Sequence, residues 1–411
     1  MENLEEAADV AIVGAGLPAL ALAISLQERG ISTMLLDSRK SADSFPRGFT
    51  LQPNGLEVLD KLGLLDKALQ TGSKAEVFEV RAWDGKILLE ADYKLLDHPQ
   101  NYLLTVNATD LDMVLRYKAE KSGAQFVWGT SFKDLVRNNG QLTGLKFETN
   151  GALQETNTAV VVGADGANSR VRTLIGSKAE AQKYRDSFIV GLVGPVSGFQ
   201  GRARQYQNPG KMLGVMPASP TITYLFHCVG KSSFDQVKAA GMEKLKAEVN
   251  RVAPETVEAL AGMETWTKLA FFTPSRVLVD RWVDNGVALL GDSAHSFHPH
   301  AGQGLNLSLQ DALVLAEVIE KAVTSHDNSA NFLREYETRQ RMFSDVIGQH
   351  ADYSARYALS SNWLIRRLNR RALNKLQKNR RLLKEALEIT AGVFQKKPSL
   401  LKLARIGGLL P

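Results

Sequence analysis

Apolar positions along the chain follow two rhythms. Residues 10–13 form a short continuous apolar run, the length of a buried strand. Gly14-Ala15-Gly16 interrupts it, and residues 17–29 then follow a helical period that Gly30 ends. Residues 32–36 read as a second strand closed by Asp37, completing a strand–helix–strand unit of about 30 residues. A helix is predicted over 52–65, starting near Pro53. Alternation over 77–93 predicts antiparallel strands. An amphipathic helix follows over 108–123, then strands over 126–151 around an Asn-Asn-Gly turn at 138–140. Residues 159–163 are a short buried strand. The rhythm changes near residue 187, where strand-like segments (187–196, 211–215, 221–229) surround one helical stretch, 234–251. A buried strand returns at 286–290 and a helix at 305–323. Beyond about 331 the pattern is almost wholly helical. Two kinds of unit are therefore expected to interleave along the chain.

Composition narrows the class. The 411 residues are 44% hydrophobic and 23% charged, ordinary for a globular enzyme with more than one core. The single cysteine, Cys228, excludes an internal disulfide framework and a multi-cysteine metal site. It lies in an apolar run and is expected to be core; the count suits a reducing cytoplasm. The opening residues are acidic (Glu2, Glu5, Glu6, Asp9), unlike a secretory signal. No run of 18 apolar residues exists, so no spanning helix is expected. The net charge of +6 is uneven: residues 366–411 hold 13 Lys/Arg against 2 Asp/Glu, a local +11 that leaves −5 elsewhere.

Three motifs carry chemistry. The first is Gly14-x-Gly16-Leu17-x-Ala19, with Asp37 downstream. Gly14 permits the tight turn, Gly16 lets the backbone approach a pyrophosphate, and small Ala19 allows close helix–strand packing. The helix N-terminus offers free N–H groups and a positive dipole to the phosphates. Asp37 lies 23 residues after Gly14, near the spacing of a ribose-binding carboxylate. A carboxylate there suits FAD or NAD over NADP, and the motif by itself does not separate FAD from NAD. The second motif, residues 163–170 (GADGANSR), clusters Asp165, Gly166, Ser169 and Arg170 at a strand's C-terminal end, with Arg172 just beyond. The third is Gly291-Asp292-Ser293-Ala294-His295, followed by His298-Pro299-His300-Ala301-Gly302-Gln303-Gly304-Leu305-Asn306. Asp292 ends a strand, placed to meet a polyol. The loop Gly302 to Gly304 leads into a helix whose first N–H groups, Leu305 and Asn306, would face an anionic reduced flavin. His295, His298 and His300 lie in a Gly/Pro loop with no partnering acid or cysteine cluster, so no metal site is expected.

In this order and spacing the three motifs resemble the class A flavoprotein monooxygenases, the family of para-hydroxybenzoate hydroxylase. The His-Pro-x-Ala-Gly-Gln-Gly wording is most similar to the branch that hydroxylates ubiquinone precursors. The resemblance spans residues 9–323. It implies an α/β fold in which a doubly wound, Rossmann-like FAD-binding domain (1–75, 106–180, 276–345) is interleaved with a mixed or antiparallel sheet substrate domain (76–105, 181–275). A basic helical region, 346–411, follows. It also implies FAD as cofactor, with NADPH or NADH as co-substrate. Gly14, Gly16, Leu17 and Ala19 would face the pyrophosphate, Asp37 the adenosine ribose and Asp292 the ribityl chain. Gly302, Gly304, Leu305 and Asn306 would approach the isoalloxazine. Arg47 matches an arginine lining the flavin and nicotinamide path, and Asp165 with Gly166 is associated with both cofactors. NAD(P)H, O2 and a flavin C4a-hydroperoxide would hydroxylate or epoxidise an aromatic or quinonoid ring, with Pro299 and its loop near the reacting oxygen and His298 the candidate for handling a proton. One departure stands out: members usually carry Arg or Gln three residues before a helix leucine, where this chain has Ala108 before Leu111. Asn107 is the neighbour expected to substitute.

The basic tail admits two readings. Residues 363–387 look like one amphipathic helix with Leu364, Leu368, Ala372, Leu376, Leu383 and Leu387 near one face. It either caps the core with a solvated basic face or lies on an anionic membrane, the latter suiting a lipophilic substrate at the cytoplasmic side. A nucleic-acid partner is not expected, because aromatic interleaving is absent. A monomer or homodimer is expected. Two other functions share parts of the pattern: a flavin-dependent polyprenyl reductase, and a catalytically silent FAD-binding accessory protein, which Ala108 favours.

Overall fold

A computed structural model describes residues 8–41 and 47–408. Glu2, Glu5, Glu6 and Pro46 lie outside the described residues. The nucleotide-binding unit is a six-stranded sheet in the order 283–284, Val287–Leu289, Val160–Gly163, Val10–Val13, Thr33–Asp37, Gln125–Trp128. All neighbours are parallel except the short edge strand 283–284. Val10 pairs with Val160 and Val13 with Gly163, so the first two motifs emerge side by side at the strand ends. Such all-apolar strands are buried on both faces because helices cover them. Leu17–Gln27 and Gly304–Ser325 pack against each other on this sheet.

The second large sheet has seven strands in the order Leu269–Phe272, Ser187–Val193, Thr223–Gly230, Lys211–Pro217, Arg202–Asn208, Val77–Ala82, Ile87–Asp92. It combines the early hairpin at 77–92 with segments from residue 187 onward, joined by a parallel pairing of 202–208 with 77–82. Alternate residues point to opposite faces. Leu213, Val215 and Leu225 pack beneath the helix Met242–Val252. Phe188, Val190, Met212 and Cys228 lie on the other face. Cys228 is fully buried, and burial pushes its thiol up to about 12, which makes it a core residue.

Some predicted elements break where a single residue interrupts them. The helix over 52–65 stops at Lys61, and Leu65–Thr71 is a separate helix after Gly63, which has φ of +65°. The stretch 234–251 is two helices hinged at Gly241, with φ of +91°. The continuous helix expected over 363–387 is corrected in the same way. Trp363–Lys378 and Arg380–Thr390 are separate helices meeting at Asn379, whose extended backbone ends one while its side chain caps the next. Leu383 and Leu387 are buried with the second helix, whereas Leu364 is exposed. The strand Arg202–Asn208 has no counterpart in the sequence reading: the buried position after Ala203 is the polar Gln205, so no apolar alternation shows.

Candidate functional site

The strand ends of the nucleotide-binding sheet open into a cleft of about 700 Å³, within the range of about 300–1,000 Å³ usual for ligand sites. Gly14, Gly16, Leu17, Ala19, Asp37, Arg47, Asp165, Gly166, Asp292, Gly304 and Leu305 all line it. Elements far apart in sequence are thus brought to one concavity. A β-carbon on Gly14 would overlap the Ala164 carbonyl oxygen, and φ there is +107°, so this turn needs glycine. Among the described residues beyond its chain neighbours, a β-carbon on Gly16 would meet only Pro18 Cδ, at 3.9 Å, which leaves the helix N-terminus open to a ligand.

The second and third motifs are tied together. Arg172 donates through Nη1 to the Ser293 carbonyl at 3.0 Å and through Nη2 to the Ala167 carbonyl at 2.7 Å. The Ser293 hydroxyl donates to the Gly163 carbonyl. Asp165 Oδ2 accepts from the Arg170 and Val171 N–H groups and caps that helix, while its Oδ1 is buried with no partner. An acceptor left over at the cleft wall fits a ligand hydroxyl. Burial raises the Asp292 carboxyl above its ordinary range, with His295 and Arg47 pulling it back. Arg47 is itself lowered by burial, which the charges of Tyr224 and Asp292 oppose, and its guanidinium lies 4.9 Å over the Phe49 ring.

Asp37 is more occupied than the spacing implied. Its Oδ2 accepts from the Ala15 N–H at 2.8 Å, and both its oxygens accept from the Arg39 side chain. Burial pushes its carboxyl up, but the hydrogen bonds of Arg39 and Ala15 hold it below the usual range. Arg39 lines the cleft and went unnoticed in the sequence, where it is one cation among many. Asp112 went unnoticed too. It lies one helical turn beyond Ala108, on the same face, and reaches the cleft while paired to Arg116 at 2.5 Å. Ala108 is buried at the cleft wall, and Asn107 Oδ1 is taken up in capping the helix by accepting from the Thr109 N–H.

Asn306 and Gly302 do not line the cleft. Asn306 is fully buried: its Oδ1 accepts from the Gln52 N–H, and its Nδ2 donates to the Thr50 and Gly302 carbonyls. It pins the start of the helix Gly304–Ser325 to the segment after Arg47. Gly302 is left-handed, with φ of +61°, and turns the chain into that helix. Pro299 opens a short 3-10 turn beside the cleft residues. His298 is buried; its Nδ1 accepts from the His300 N–H at 3.1 Å, its Nε2 has no partner, and burial pushes the ring down to about 4. Tyr184 and Phe188 meet it edge-on, with centroids at 4.7 and 5.6 Å. His300 Nδ1 lies 3.1 Å from Met212 Sδ, joining the loop to the second sheet. His295 is paired to the buried Asp311 at 2.6 Å, anchoring the loop to the helix that follows it. Among the described residues no group of three side chains gathers to hold a metal ion.

Comparison with known proteins gives the family to which the chain belongs. A family model described as an FAD binding domain matches residues 7–350. The chain belongs to this FAD-binding family. It is 27% identical over 339 residues to 6-methylpretetramide 4-monooxygenase of Streptomyces rimosus, covering 81% of this chain and 80% of that protein. It is 26% identical over 348 residues to ubiquinone hydroxylase UbiL of Rhodospirillum rubrum, covering 82% and 79%. Among solved structures, p-nitrophenol 4-monooxygenase PnpA from Pseudomonas putida shares the fold, with a TM-score of 0.82 at 20% identity over 95% of this chain and 99% of that one. The chain is an FAD-dependent flavoprotein monooxygenase of the aromatic-hydroxylase type, and NAD(P)H is the co-substrate typical of such proteins. No helix among the described residues is long and apolar enough to cross a membrane.

Proposed function

We propose that this enzyme hydroxylates a flat, largely apolar aromatic or quinonoid ring at the seam where the 298–304 loop meets the second sheet. The observation that carries this reading is the apolar seam where Phe188 and Met212, packed with Val190, meet His298 and His300 next to the helix start at Gly304. Aromatic and thioether side chains suit a planar ring. Oxygenase names among the relatives favour this over the polyprenyl-reductase and silent-accessory readings.

When bound, FAD supplies the redox and oxygen-transfer chemistry, and the protein's part is to bind, orient and exclude water. Gly14, Gly16, Leu17 and Ala19 would hold the pyrophosphate at the helix N-terminus, and Asp37 with Arg39 the adenosine end. Asp165, Gly166 and Asp292 would serve the polyol. Gly304 and Leu305 would bring the positive end of the helix Gly304–Ser325 to the flavin ring, where it stabilises negative charge. Gly302 and Asn306 serve by fixing that helix start. Arg47, opening onto the cleft near Asp292 and Tyr224, is suited to the path of NADPH or NADH. Pro299 would back the reacting ring. His298, neutral at physiological pH, would donate its Nε2 proton in a hydrogen bond to a ring oxygen. The domain division at 75, 105, 180, 275 and 345 follows the same reading.

A lipophilic substrate also suits a cytoplasmic enzyme that rests on an anionic membrane. The helix Trp363–Lys378 carries six Lys/Arg and no acid, and Trp363 and Leu364 at its start are 68% and 51% exposed.

The test is a visible spectrum of the purified protein, then anaerobic addition of NADPH or NADH with a panel of phenols, quinones and quinolones. A ring that accelerates flavin bleaching and yields an oxygen-dependent hydroxylated product supports the reading. Bleaching without oxygenated product from any ring overturns it.

A further inference from the structure

A second concavity, of about 390 Å³, lies away from the flavin cleft. Trp83, Leu88, Pro209 and Tyr357 form its apolar walls, and Arg366 and Arg370 enter from the basic helix. The two arginines are four residues apart and so share one helix face. Among the described residues neither guanidinium has a hydrogen-bond or ion-pair partner. Asp84 is the one carboxylate in the wall, and its Oδ1 accepts from the Lys86 N–H. Asn369 Nδ2 donates to Gln207 Oε1 at 3.3 Å, which fixes the helix against the sheet, so the groove is a held shape rather than a gap beside a loose helix. Gln377 Oε1, farther along the same helix, accepts from the Glu90 N–H at 2.7 Å.

Two guanidiniums with no counter-ion, facing half-exposed aromatic rings, make a particular offer. The guanidiniums present a fork of donors to an oxyanion, and the Trp83 and Tyr357 rings offer stacking surfaces. We infer that this groove is a binding site for an aryl oxyanion, a flat ring bearing a carboxylate, sulfonate or similar group, distinct from the flavin cleft. It also adjoins the ring layer. Ala358 lines the groove, and the next residue, Leu359, packs with Phe188 and Met212. The Gly210 N–H donates to the Leu359 carbonyl at 3.0 Å across this seam. An aryl anion held here shares a wall with the layer opposite His298.

The probe is 1-anilinonaphthalene-8-sulfonate, titrated by fluorescence into the FAD-loaded protein at low salt. Saturable binding of one molecule is expected. The double variant R366E/R370E is expected to weaken it about ten-fold or more, and A358W, which fills the groove, to abolish it. The double variant R367E/R371E makes the same charge change on the neighbouring, exposed face and is expected to bind as the wild type does. Retained flavin absorbance reports that each variant is folded. Equal losses in both double variants would reduce the effect to general charge and overturn the inference. So would undiminished binding in R366E/R370E, or no saturable binding to the wild type. If R366E/R370E lost binding only to phosphatidylglycerol vesicles and kept the dye, the groove would be a lipid contact and the inference would likewise fall.

Discussion

Gly14 and the buried histidines show how much single residues decide. The Gly14 turn runs against the Ala164 backbone with φ of +107°, so Gly14→Ala must shift one chain or the other. Backbone strain of about 1–3 kcal/mol should appear as FAD binding weaker by roughly ten- to a hundred-fold, read from flavin fluorescence in a titration of the apoprotein. His298, His300 and His350 are held neutral, with burial pushing them down to about 4, about 3 and about 4. The unfolded chain takes up these protons near pH 6.5, before the folded one does. Their contribution is therefore complete above about pH 6.5 and is lost as pH falls toward 4. Each depression corresponds to roughly 3–5 kcal/mol on the scale of 1.36 kcal/mol per pH unit. Thermal melts from pH 7 to pH 4.5 should show a steep acid loss that His350→Gln makes shallower. An unchanged slope would mean that His350 is not held neutral by the fold.

At the scale of elements, the 298–304 loop is held by buried side chains rather than by its own conformation. Asn306 joins the Gln52 N–H, the Thr50 carbonyl and the Gly302 carbonyl. Asn306→Ala removes three buried bonds at about 1 kcal/mol each and orphans main-chain groups. A loss of roughly 3 kcal/mol, or about 3–4 °C in melting temperature for a chain of this size, is expected by calorimetry, with weaker FAD retention as the helix start drifts. Asn107→Ala removes only a helix cap and should cost about 1 kcal/mol, detectable as a melting shift near 1 °C. If Asn107→Ala impaired FAD binding as much as Asn306→Ala does, Asn107 would be a ligand contact in place of the missing Arg or Gln at Ala108.

Across the whole molecule, the cleft proposed for FAD is built from the chain near residues 14, 37, 47, 108, 165, 292 and 305. A ligand bound there links all of these and binds the folded state alone. FAD at a hundred times its dissociation constant should stabilise the protein by about 2.7 kcal/mol. Calorimetry of the reconstituted protein should then show a melt about 3 °C higher than that of the apoprotein. A melting temperature indifferent to FAD would mean that the folded chain does not bind it.

How much of this could be read from the chain alone follows from the range of the interactions involved. Local rules determined the strand–turn–helix of residues 10–27, the glycines at 14 and 16, the Asp165–Arg170 turn and the helix after Gly304. Each depends on backbone freedom, apolar period and helix-end chemistry within a few residues. The breaks at Gly241 and Asn379 were local as well, but a continuous apolar period hid them. Only the tertiary structure decided that Asp37 is shared with Arg39, that Asp112 reaches the cleft from one turn beyond Ala108, and that Asn306 serves the fold. It also decided that Arg366 and Arg370 face Trp83 from across nearly three hundred residues. Sequence patterns report which face of an element is apolar. What a polar side chain meets on the far side of a sheet depends on packing between distant segments, and that exists only once the chain has closed on itself.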